Sequence, residues 1–199
     1  MDNTSEQELN DRLSLIERMI AEGRRNTESY GWTFVLWGVA QYVAIGWSAW
    51  GHSAWAWPIT ISVAILATVL LSLSKAGHHA ATTLGRAIGS IWMAVATSMF
   101  LLFLSLGFSG RLNDQHVFVA VLSAMLGMAN GASALILRWR VQFACAIAWW
   151  VTAVASCFGT DAQSIVLYLV ALFLCQIVFG IYAMMGEVQA RKRRARGDA

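Results

Sequence analysis

Few residues in this chain are of the kinds that do chemistry, and their spacing decides against most of it. There are four histidines and three cysteines among 199 residues. His78 and His79 could give a metal two ligands, but no cysteine or carboxylate stands nearby to complete the set, so they read as solvated loop residues. His52 and His116 fall in or beside other loops. Cys145, Cys157 and Cys175 lie in apolar stretches without a CxxC pair and read as small packing residues. No GxSxG, Walker-type phosphate loop, HExxH or zinc-finger spacing occurs. The polar residues inside the apolar stretches are Gln41, Asn130, Gln142 and Gln176. Such amides either bond across helices, for about 0.6 to 2 kcal/mol each, or line a ligand cavity. No catalytic residue, metal site, cofactor or nucleic-acid partner is expected.

The elements that must position these residues follow from composition. The chain is 58% hydrophobic and 13% charged, against roughly a quarter charged in soluble domains. An all-α integral membrane protein is expected. A spanning helix needs about 20 largely apolar residues, and the charges leave gaps of that size. There are 24 uncharged residues between Arg86 and Arg111, 23 between Asp114 and Arg138, 20 between Arg140 and Asp161, and 25 between Asp161 and Glu187. The stretch Ser29 to Ser74 holds two spans, broken at Gly51-His52-Ser53, with Pro58 suited to a first helical turn. Six spans result, near 32–50, 55–74, 87–107, 117–137, 141–158 and 164–185. Continuous apolar runs of this length disfavour a barrel. None carries an ionisable residue at mid-depth, which argues against proton pumps, proton-coupled carriers and membrane cytochromes.

Basic residues in short loops stay on the cytoplasmic side. Six spans put both termini together, and thirteen of the fourteen basic residues then share that side, leaving only Arg111 opposite. Trp47, Trp50, Trp55 and Trp57 bracket the first outer turn, while Tyr30, Trp32, Trp92 and Trp139 fall near inner helix ends, as interfacial anchors or as a ligand-lining cluster. The first 31 residues are polar and acid-rich, so no cleaved signal is expected. The organisation is therefore a cytoplasmic helix and linker over 1–31, a six-helix domain over 32–185, and a basic tail over 186–199.

Ser5 and Glu8 have capping-box spacing, which predicts a helix start. Leu9, Leu13, Ile16 and Ile20 then form one apolar stripe, and Gly23 is a plausible stop. Three surfaces can receive the stripe: the protein's own cytoplasmic side, another chain, or lipid. Residues 1–25 hold six acids against four bases, which gives anionic lipid little to attract. Gly127 with Gly131, and Gly85 with Gly89, are small-xxx-small pairs that permit close helix approach, within the chain or between protomers. The cluster Arg191-Lys192-Arg193-Arg194 suits anionic headgroups, at about 1 kcal/mol per charge, and equally suits topology anchoring.

The segment Leu15-Ile16-Glu17-Arg18-Met19-Ile20, followed by an aromatic first span with Leu36-Trp37-Gly38, resembles a group of small six-span bacterial inner-membrane proteins. That resemblance implies the bacterial inner membrane and carries over no catalytic residue. The layout also resembles the membrane subunit of ABC-2 type exporters, in which the loop here spanning Ser74 to Arg86 would meet an ATPase. The short chain, and the short turn Gly159 to Gln163, depart from that family. The leading expectation is a non-enzymatic membrane scaffold or interaction subunit. Its partners would be lipid, a second copy, or a membrane or cytosolic protein; a transport component is the alternative.

Overall fold

The computed structural model describes residues 3–51, 55–75, 83–108 and 114–197. Among these nearly every residue is helical and none is in a strand. The helices are α1 (Asn3–Ser29), α2 (Gly31–Gly51), α3 (Ala56–Lys75), α4 (Thr83–Phe108), α5 (Gln115–Leu137), α6 (Arg140–Ser156), α7 (Asp161–Leu172) and α8 (Phe179–Gly197). A π-helical segment, Phe173–Val178, joins α7 to α8 without a break. His52, His78, His79, Arg111 and most of the loop between Lys75 and Arg86 lie outside the described residues.

Among the described residues four helical stretches are long and apolar enough to cross a membrane: Ala56–Ser74, Thr83–Phe108, Gln115–Leu137 and Asp161–Gln189. The first two are barely buried within the chain, at 11% and 6%. Side chains such as Val63, Leu66, Leu70 and Leu101 point outward, and an apolar exterior of this extent suits lipid rather than water. The core lies instead between α2, α5, α6 and the α7–α8 rod, where Trp149, Leu172, Phe179 and Ala183 are almost fully enclosed.

The helix ends are written locally. Asp114 caps α5 by accepting from the backbone N–H groups of His116 and Val117, at 3.0 and 3.2 Å. Arg138 closes that helix in the left-handed conformation, φ 49°, and Trp139 N–H reaches back to Ala134 O at 3.0 Å. Thr160 and Gln163 form a reciprocal capping box that starts α7.

Several expectations need correcting. The first helix begins at Asn3, so Ser5 sits inside its first turn, and it does not stop at Gly23 but runs on to Ser29. Gly23 is a packing position, because a Cβ there would stand 2.3 Å from Leu84 Cδ2 and 3.1 Å from Leu137 Cδ2. The expected linker before the first span shrinks to Tyr30. The basic tail residues are helical, since α8 runs as far as Gly197.

The two glycine pairs differ. Gly127 and Gly131 on α5 receive the Trp150 ring of α6, with would-be Cβ distances of 2.4 Å to Cδ1 and 2.8 Å to Cη2. That contact is within the chain and accompanies the most extensive helix pairing in the bundle. Gly89 has nothing within 4 Å of a would-be Cβ and makes no close helix approach. Gly89→Ala is therefore expected to raise stability by roughly 0.5 to 1 kcal/mol through helix propensity. Gly127→Ala should lower it by about 1 to 3 kcal/mol, and much of that loss should return when Trp150→Leu is added. Thermal melts of the single and double variants check the sign of each change.

Candidate functional site

Three levels of the bundle hold its polar and charged side chains. At the end nearest α1, the last two turns of that helix are gathered onto the bundle. Gly23 and Thr27 are buried, and the Arg24 guanidinium lies 4.9 Å from the Trp139 ring centroid while its Nε approaches Glu28 Oε1 at 3.3 Å. Trp139 sits in an aromatic knot with Phe179 at 5.2 Å, and Phe179 stacks edge-on with Phe34, which does the same with Trp92. Trp139 is buried rather than presented as an interfacial anchor. The Trp92 indole is also engaged inside the bundle, donating to Ser133 Oγ at 3.1 Å. At the opposite end Trp50 and Trp55 are largely exposed, as anchors would be.

The stripe predicted on α1 divides. Leu9, Leu13 and Ile16 are 59%, 52% and 53% exposed, and Ile20 is half-buried. Residues 9, 13, 16, 20, 23 and 27 fall within about 40° of one line on an ideal helix of 3.6 residues per turn. One face of α1 is therefore docked at Gly23 and Thr27 and uncovered further out.

Inside the bundle the four amides meet different fates. Gln41 accepts a hydrogen bond from the Tyr168 hydroxyl, tying α2 to α7, and next to it Tyr42 donates to Leu169 O at 2.6 Å. Gln176 lies in the π-helical segment, its Cβ 2.9 Å from where a Gly38 side chain would begin. Asn130 donates to Leu126 O of its own helix at 2.9 Å, and its Oδ1 has no partner among the described residues. Gln142 is fully enclosed with neither Nε2 nor Oε1 bonded among them. Cys145 and Cys175 are buried, and the Cys175 thiol donates to Cys145 O at 3.6 Å. No group of three or more His, Cys, Asp or Glu side chains able to hold a metal occurs among the described residues.

Tyr168→Phe is expected to cost about 1 to 3 kcal/mol, because it leaves the Gln41 amide enclosed without its donor. Adding Gln41→Leu should recover most of that loss in a double-mutant melt.

The end away from α1 carries the assembly that sequence reading missed. His116 Nε2 lies 2.7 Å from Asp161 Oδ1, and its Nδ1 lies 2.7 Å from Ser156 O. The Ser164 hydroxyl is 3.0 Å from the same Nδ1 and 3.1 Å from Ser156 O. Gln115 Nε2 adds a bond to Asp161 O at 2.8 Å. The residue types match a Ser-His-Asp triad, but Ser164 is fully buried, leaving no approach for a substrate. A signal was present in the sequence, since the predicted topology put the turns holding His116 and Asp161 at the same end. The recesses flanking this level, one of about 430 Å³ lined by residues such as Ala120, Val121 and Phe158, are apolar and open outward.

No family model, curated protein or solved structure matches this chain.

Proposed function

We propose that the protein is a non-enzymatic, six-span scaffold or interaction subunit of the bacterial inner membrane, meeting its partners through α1 and the basic end of α8. α2 carries no charged residue over Gly31–Gly51, and its tryptophans, Gln41 and glycines lower its apolarity without adding charge. α6 has 17 residues, about 25 Å of helix, at the short end of spanning lengths. Both lie in the core between the four more apolar helical stretches, so six spans with both termini inside accommodate the packing and the lopsided basic charge. The resemblance to small six-span bacterial inner-membrane proteins supports the compartment.

One observation carries the functional reading: α1 is anchored at Gly23 and Thr27 but leaves Leu9, Leu13 and Ile16 uncovered. Uncovered leucines and isoleucines in register with a docked face suit a contact with something beyond the chain. α8, which packs against α1, ends in Arg191, Lys192, Arg193 and Arg194, a cluster suited to anionic headgroups.

The test compares the full chain with a Leu13→Ser/Ile16→Ser variant, both isolated in mild detergent with mass determination. The expected result is an assembly larger than the monomer that the variant loses while its melting temperature holds. A lone monomer in both cases, with the variant melting lower, would place the stripe in an internal contact and overturn the reading.

A further inference from the structure

The contact between His116, Asp161, Ser156 and Ser164 points to a device that the scaffold reading does not use. Neither oxygen facing the ring nitrogens can donate: Ser156 O is a carbonyl, and Asp161 Oδ1 belongs to a carboxylate. At 2.7 Å each contact needs a hydrogen on the ring side. This geometry suits a ring with N–H on both nitrogens, bridging the α6 carbonyl to the α7 carboxylate from the first turn of α5. The Ser164 hydroxyl lies within bonding distance of two acceptors, Ser156 O at 3.1 Å and, once the ring has lost its Nδ1 hydrogen, Nδ1 at 3.0 Å.

We propose that these four groups form a proton-operated clasp across the adjoining ends of α5, α6 and α7. With both nitrogens bearing hydrogens, His116 and Ser164 both donate to Ser156 O and the three helix ends are held together. When the Nδ1 hydrogen is lost, two lone pairs face one another at Nδ1 and Ser156 O. Ser164 then turns to donate to Nδ1, and the α6 carbonyl is released. The proton passes to solvent, since the His116 side chain is 32% exposed and Asp161 76%.

The groups facing the ring are few. On its own helix Asp114 is engaged in capping, through the backbone N–H groups of His116 and Val117. α6 contributes the Ser156 carbonyl and, one residue on, the Cys157 thiol, which donates to Ala153 O. α7 contributes Asp161 and Ser164. Asp161 is therefore the one charged side chain in direct contact with the ring among the described residues. The clasp needs a hydrogen on each ring nitrogen, so it holds in acid and loosens in alkali.

The test uses the full chain in nanodiscs with ¹⁵N-labelled histidine, His116→Asn serving to assign the ring signals. In acidic buffer both His116 nitrogens should be protonated, and in alkaline buffer only one. Amide exchange in the last turn of α6, corrected for its intrinsic pH dependence, should rise about tenfold between the two, the change expected on losing one charge-assisted hydrogen bond. Asp161→Asn, a substitution at an exposed side chain, should flatten that response while the bundle stays folded, and Ser164→Ala should steepen it by removing the alternative bond. A ring with one protonated nitrogen in both buffers, or the same exchange response in Asp161→Asn as in the native chain, would overturn the proposal.

Discussion

Gly180→Ala is expected to be among the most damaging single-methyl additions this protein can receive. A Cβ at that position would lie 2.8 Å from Gly31 O, 2.7 Å from Val35 Cγ2 and 3.1 Å from Phe34 Cβ. From the other side, a Cβ at Gly31 would lie 2.8 Å from Gly180 O and 3.0 Å from Met184 N. Each glycine thus faces the backbone of the opposite helix, which no rotamer change can move aside. The two helices must separate, and Phe34 and Phe179, stacked at 5.1 Å beside this crossing, separate with them. Overpacking of this kind costs about 1 to 3 kcal/mol, a fall in melting temperature on the order of 5 °C for a chain of this size. Gly89→Ala, made in parallel, is the control, since it adds the same methyl to open space. Equal melting temperatures for the two variants would mean that α2 and α8 do not meet at these glycines.

Gln142→Leu should have the opposite sign. The side chain is fully enclosed, and neither end of its amide has a partner among the described residues. An enclosed polar group without a bond costs roughly 1 to 3 kcal/mol, and leucine is close to it in volume. A rise in melting temperature of several degrees is the expected result. A fall would show that the amide is satisfied by something outside the chain, such as a held water or a small ligand, and attention would move to the first turn of α6.

The charge gaps gave the helices because a run of some twenty apolar residues has few ways to satisfy its backbone except as helix. The predicted spans 55–74, 87–107 and 117–137 differ from α3, α4 and α5 by four residues or fewer at either end. Glycine was the weak point of the reading. Gly23 can end a helix or allow another to approach it, and only the presence of Leu84 and Leu137 decides between the two. Gly31 and Gly180, which make the tightest backbone approach, form no small-xxx-small pair within one helix and carried no local signal. Trp139, placed by its position at a helix end, is held inside by Arg24 and Phe179, partners 115 and 40 residues away in the chain. The Gln41–Tyr168 and His116–Asp161 contacts are equally non-local. Residue type flagged Gln41, but nothing adjacent in sequence could name the tyrosine that satisfies it.

The unbroken run of α1 through Gly23 also has a mechanical meaning. From Asn3 to Gly23 the helix is a stiff arm of about 30 Å, and its short end is clamped where α4, α5 and α8 converge. A load applied near Leu9 would act as torque on that clamp rather than being absorbed by a flexible joint. The parts that would yield first are Arg24 against Trp139 and Glu28 beside Gly186. Whatever pulls on the arm thus gains leverage on several helix ends together.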